Sequence, residues 1–181
     1  MFKFFARLWL KRFAHRYGYD VSYMEYMLSV SPSAFSKFSK LNGLASHQEA
    51  APRDAIFAAK LVGAIAEDCG PCVQLVVNMA REAGVEKSQI NAVLIRDLAL
   101  MNETTALGFL FADAIVGRAG NADEARERIR DAWGEAGVID ITLAAQIGRI
   151  FPMVKKGLGF AKTCQKVSVD NTPVEVVREA A

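Results

Sequence analysis

Two cysteines three residues apart, Cys69 and Cys72 in the run Cys-Gly-Pro-Cys, have the residue types and spacing best suited to chemistry in this chain. A cysteine at a helix start meets unsatisfied backbone N–H groups and the positive end of the helix dipole, which favour its thiolate. A second thiol one turn later can resolve a mixed disulfide, and residues three apart at a helix start share a face within bridging reach. Glu67 and Asp68 immediately precede the pair. Nearby carboxylates oppose a thiolate, whereas a carboxylate of raised pKa accepts a proton; both effects stay open, with Glu67 the favoured acceptor. The expected site is therefore Cys69, Cys72 and Glu67.

Other chemistries need partners that this sequence does not supply. A structural zinc site takes about four ligands, but there is no second Cys-x-x-Cys, and the two histidines, His15 and His47, stand at unrelated spacings. No metal or cofactor is called for. Thioredoxins carry the same four residues, yet their fold needs a strand just before the motif; here LVGAIAED is apolar at helical spacing and no tryptophan precedes Cys69. The plainest alternative is two buried cysteines acting as small apolar residues. With Cys164 the count is three, which suits no disulfide framework and points to a reducing, cytoplasmic compartment.

The elements that must position the pair read as helices throughout. The 181 residues are 52% hydrophobic and 23% charged with a net charge of +2, an ordinary globular composition that suits one domain with an added arm and points to no nucleic acid. Ser31-Pro32 reads as an N-cap with proline in the first turn, opening a short helix closed by Gly43. Ser46 to Glu49 resembles a capping box, followed by Phe57, Leu61, Ala64 and Ile65 on one face. Asp68 is the expected cap of the next helix, with stripe Cys72, Leu75, Val76, Met79 and Ala83 and stop Gly84. Leu107, Leu110, Phe111 and Ala114 mark another helix, broken at Gly117 to Gly120. Asn121 or Asp123 then caps a charged helix with inner face Ala125, Ile129, Ala132, Trp133 and Ala136. After Gly137 a long helix carries Ile139, Leu143, Ile147, Ile150, Val154 and Leu158, with Pro152 a potential kink. Beyond Lys162, Val167, Val169, Val174 and Val176 around Asp170-Asn171 suit a small hairpin or a tail lying on a neighbour.

The N-terminal run MFKFFARLWLKRFAHR is interrupted by Lys3, Arg7, Lys11 and Arg12, so it is neither signal core nor membrane span. As a helix it sets Phe2, Phe5, Trp9 and Phe13 against Lys3, Arg7, Lys11 and His15, with Phe4 and Leu8 blurring the division. Packing on its own core or on a second subunit is the favoured reading of this arm, ahead of a membrane surface.

A helix ending at Cys-x-x-Cys, a helix starting there, and then Ala83-Gly84-Val85-Glu86 with Ile90 resemble the core of the AhpD-like, carboxymuconolactone-decarboxylase-like superfamily. Leu107–Ala112 resembles its phenylalanine–alanine helix, and Gly137-Val138-Ile139-Asp140 resembles the opening of its final one. The resemblance covers about residues 50 to 160. It implies an all-α helical bundle at 46–160, with an N-terminal arm at 1–45 and a tail at 161–181. It also implies a homo-oligomer, for which Ala144, Ala145 and Gly148 on the long helix offer close helix contact.

For activity it implies a thiol–disulfide oxidoreductase of the peroxidase-linked, antioxidant branch, with a redox protein or small molecule as substrate. The alternatives are a lyase or lactone-binding enzyme of the decarboxylase branch, and a non-catalytic helical oligomer that binds a partner. Two family positions differ. The histidine four residues after the second cysteine is Val76, and the relay glutamate about a dozen residues before the first is Phe57, which leaves Glu67, Asp68, Gln74 or Asn78 as polar substitutes.

Overall fold

The computed structural model describes residues 1–117, 121–161 and 166–177; Cys164 and most of the expected break at 117–120 lie outside them. The fold is all-α, with one two-stranded hairpin. In chain order the helices are α1 (Phe2–Tyr17), α2 (Ser22–Val30), α3 (Pro32–Phe38), α4 (Leu41–Ala45), α5 (Arg53–Ala66), α6 (Gly70–Glu82), α7 (Lys87–Leu94), α8 (Glu103–Gly117) and α9 (Ala122–Gly157), followed by β1 (Lys166–Val169) and β2 (Thr172–Glu175).

Helix α5 is the centre of the molecule. Nine of its residues, from Ala55 to Ile65, are buried, because α8 and α9 pack on different sides of it. Small residues let the backbones approach closely. A Cβ on Gly63 would collide with the Ala145 carbonyl oxygen of α9, one on Gly148 with the Lys60 carbonyl oxygen, and one on Gly108 of α8 with the Ala55 backbone. Ala144, Ala145 and Gly148, expected at a contact between subunits, are thus spent inside the chain.

The long helix also differs from its expected register. It runs from Ala122 to Gly157 with a break at Gly134, whose φ of 70° lies in the left-handed region, three residues before the expected start. Its core-facing side is Gly137, Asp140, Ile141, Ala144, Ala145, Ile147 and Gly148, whereas Ile139 is 54% exposed. Val154 and Leu158 turn instead to the N-terminal core. The helix is long and apolar enough to cross a membrane by length and composition, but 44% of that window is buried in the fold. Before Gly134, Ile129 is buried and Trp133 packs on the core as expected, while Ala132 is exposed.

Residues 46 to 49 do not form the expected capping box; α5 starts after Pro52. The segment is held instead by Asp140 of α9, whose buried carboxylate accepts the backbone N–H groups of Glu49 (3.0 Å), Ala50 (2.7 Å) and Ala51 (2.8 Å) and lies 3.2 Å from His47 Nε2. Burial pushes this carboxyl group up, but the three N–H groups and His47 outweigh that and hold it below the ordinary carboxylate range.

A second core is built from α1, α2 and α3, through Leu10, Tyr19, Val21, Tyr23, Met24, Leu28 and Phe35, and it packs on Leu75 of α6 and on Phe151, Val154 and Leu158. Ser31 caps α3, accepting from the Ala34 N–H, and Pro32 follows, as the sequence predicts; α3 ends at Phe38, and Gly43 falls inside the short α4. The valine-rich end forms the hairpin, its turn made by Asp170 (φ 47°) and Asn171 (φ 62°), and it buries Val167 and Val169 against α6 and α7.

Gly63→Ala is expected to cost about 2–3 kcal/mol in urea unfolding, because backbone rather than a movable side chain occupies the space. Asp140→Asn is expected to cost about 2–4 kcal/mol at neutral pH. Because the Asp140 carboxyl is lower in the fold than in the unfolded chain, its stabilisation is present above the ordinary carboxylate range and is lost as pH falls through and below that range. The acid limb of the stability curve should be shallower in Asp140→Asn, and an unchanged limb would contradict the assignment.

Candidate functional site

The chain enters the site along α5, which ends at Glu67. Asp68 then takes a left-handed conformation (φ 55°), Cys69 occupies the N-cap position of α6, and Pro71 fills the first turn. Asp68 is therefore part of the bend and not the cap. Cys69 and Cys72 are joined by a disulfide with their Cα atoms 5.2 Å apart, and both are buried, at 1% and 4% exposure.

The two sulfurs have unequal surroundings. Helix α6 turns Val73, Val77 and Ala80 into the main core, and Cys72, Leu75, Val76 and Met79, the predicted stripe, toward a cavity of about 90 Å³. Cys69 does not line that cavity. The remaining wall comes from Trp9 and Phe13 of α1, Tyr19, Tyr23 and Met24, Asn42 and Ala45 of α4, Lys60 of α5, and Ile147, Gly148, Phe151 and Pro152 of α9. The lining runs from buried Cys72 and Tyr23 to exposed Trp9 and Asn42, so the cavity reaches the surface. It is smaller than the ~150 Å³ of a cavity that takes benzene, and suits the reacting end of a ligand.

Tyr19, Tyr23 and Lys60 bring titratable groups to this apolar wall. Tyr19 Oη is 3.7 Å from Cys72 Sγ. Burial pushes the Tyr19 hydroxyl up to about 12, with contact from Tyr23 opposing and the Asp20 carboxylate adding. Tyr19 therefore keeps its proton at neutral pH and can donate to a Cys72 thiolate but cannot act as a base. Burial also pushes Tyr23 up. Lys60, whose Nζ donates to the Ala45 carbonyl oxygen at 2.8 Å and sits 4.7 Å from the Phe57 ring centre, is pulled down to about 8 by burial. Beneath the tyrosines, buried Lys155 of α9 sets its ammonium 4.6 Å from the Tyr19 ring centre, donates to the Asp20 carbonyl oxygen at 3.3 Å, and lies 3.7 Å from an Asp20 carboxylate oxygen. It fixes the Tyr19 loop to the end of α9.

Glu67 is next to the pair in sequence, but its carboxylate accepts from Arg149 Nε at 2.7 Å and it is not part of the cavity wall. Gln74 joins the backbone of Ser168 in β1, and Asn78 donates to the Tyr17 carbonyl oxygen, so both are occupied with holding neighbouring elements. Val76 faces the cavity, and Phe57 sits under Lys60. Tyr19, Lys60 and Lys155 were not singled out from the sequence. Tyr19 follows the helix stop at Gly18, and no local pattern joins it to a cysteine 53 positions later.

The chain matches no protein-family model, no curated protein and no solved structure. The AhpD-like resemblance thus stands on the residues that suggested it.

A lysine lowered in the fold makes stability rise with pH between about 8 and the ordinary lysine value, because the unfolded chain there holds more protons. The unfolding free energy of the parent relative to Lys60→Met should increase from pH ~7 to ~10. A difference independent of pH would remove Lys60 from this role.

Proposed function

We propose that the chain is a thiol–disulfide oxidoreductase in which Cys72 exchanges with substrate at the cavity and Cys69 resolves the intermediate. The observation that carries the reading is the bonded pair with only Cys72 on the wall of a surface-reaching apolar cavity, and with the Tyr19 hydroxyl beside its sulfur. In the reduced state the Cys72 thiolate, hydrogen-bonded by Tyr19, attacks one sulfur of a substrate disulfide. A Cys72–substrate disulfide forms and the first substrate thiolate leaves, taking a proton. Cys69, on losing its own proton, then attacks Cys72 Sγ, forming the Cys69–Cys72 bond and releasing the second substrate thiol. One disulfide is reduced to two thiols and one dithiol is oxidised; an external dithiol restores the enzyme. With an alkyl hydroperoxide the same thiolate takes one oxygen as sulfenic acid, the alcohol leaves, and Cys69 displaces water.

A second reading, a carbon–carbon lyase of the decarboxylase-like branch, gains support from Lys60. The sequence offers no core histidine as general base, but an amine lowered to about 8 on the cavity wall suits proton abstraction near neutral pH.

Mass spectrometry after mild oxidation and then dithiothreitol should show loss and regain of two hydrogens per chain, localised to Cys69 and Cys72. Cys69→Ser and Cys72→Ser should each abolish disulfide reduction. Tyr19→Phe should slow it roughly 10-fold while raising the Cys72 thiol pKa, the loss of one hydrogen bond to a charged group. Peroxide turnover in the parent should be weak and should rise in Val76→His, since acid–base assistance contributes ~10²–10⁴ in rate. Equal turnover in the double serine variant would sink the redox reading, and activity dependent on Lys60 but not on the cysteines would establish the lyase.

A further inference from the structure

Helix α1 uses only one side to hold itself to the protein. Leu10 is fully buried, and Ala6, Phe13, Ala14 and Tyr17, at helical spacing from it, are half-buried on the N-terminal core. The opposite side of its first two turns is apolar and open: Met1, Phe4 (68% exposed), Phe5 (62%), Leu8 and Trp9, with Phe2 half exposed against Phe35. Phe4–Leu8 and Phe5–Trp9 are i,i+4 pairs, so these side chains form one continuous patch.

Arg7 and Lys11 border the patch on one side, Arg12 rises within it, and Lys3 lies a turn away on the Leu10 side; all four are exposed and, among the described residues, in no ion pair. Residues 1 to 19 contain no Asp or Glu. Glu82, whose carboxylate pairs with this helix, is taken by Arg16 and Tyr17 at the far end.

From this arrangement we infer that α1 docks the protein on an anionic lipid surface. Aromatic and leucine side chains enter the headgroup boundary, and the long basic side chains at the rim extend to lipid phosphates and carboxylates. Charge selects this occupant over a second copy of the chain. A symmetric α1–α1 contact would bring two sets of three uncompensated cations, Arg7, Lys11 and Arg12, together at the same patch, which costs free energy, whereas an anionic bilayer neutralises them. The sequence favours a protein contact for this arm, and the structure meets that expectation on the Leu10 side alone.

The test uses the full-length protein and two kinds of vesicle, phosphatidylcholine alone and phosphatidylcholine with about 30 mol% phosphatidylserine. Co-flotation is expected with the phosphatidylserine vesicles only, with loss on raising salt from about 0.05 to about 0.5 M. Each cation contributes about fivefold, so Arg7→Glu with Lys11→Glu should weaken binding at least ~25-fold. Phe4→Ser with Phe5→Ser, at positions outside the core, should abolish flotation while leaving the unfolding transition in place. Absence of flotation, or flotation unchanged in both double variants, overturns the proposal. So does a parent that stays off vesicles but changes from oligomer to monomer by light scattering in Phe4→Ser with Phe5→Ser, which would make the patch a contact between copies.

Discussion

The contact on which the rest of this structure depends is the close crossing of α5 with α9 and α8. Gly63, Gly148 and Gly108 remove the side chains that would hold the helices at ordinary distance, and the backbone of one helix fills the space above the other. That crossing decides where both ends of α5 fall. At the start, the buried Asp140 carboxylate of α9 gathers three successive backbone N–H groups at 49–51. At the finish, Arg149 of the same helix holds Glu67, two residues before Cys69. One helix thus fixes both the approach and the exit of the segment that delivers the cysteine pair.

The site joins two cores. The main core supplies the pair and the α6 wall, but the opposite wall, including the hydroxyl on Cys72, belongs to the first 45 residues. Lys155 is the link: a buried cation from the end of α9, placed beneath two tyrosine rings and against Asp20, fastens the N-terminal segment to the helix that positions α5. A charge at that depth is tolerated because the rings, the carbonyl oxygen and the carboxylate all face it. The arm that contributes Trp9 and Phe13 to the cavity is also the one that carries the exposed aromatic and basic surface, so any ligand entering past Trp9 passes beside that surface.

The sequence by itself determined the helical class, the position of the cysteine pair at the start of α6, the Ser31 cap and the stop at Gly84, and it offered the valine hairpin around Asp170-Asn171 as one of two readings. All of these are local. They follow from periodicity over a few turns, from capping side chains and from residues that tolerate positive φ, and such signals act within about ten residues. The stripe of α6 was also legible, although it lines the cavity while Val73 and Val77 take the core.

Only the tertiary structure decided which faces are used and which groups meet. An apolar stripe on α9 gave Ile139 the inward position, but close approach to α5 selects small residues, so Ala144, Ala145 and Gly148 turn inward and Ile139 outward. Glu67, next to the cysteines in the chain, is taken by Arg149, 82 positions away. Tyr19 reaches Cys72 across 53 positions. Asp140, an ordinary surface type, is buried because loop N–H groups from 89 to 91 positions earlier converge on it. Composition and spacing record what a residue can do; which partner it meets is set by how the helices cross, and that depends on the volume of side chains distant in sequence.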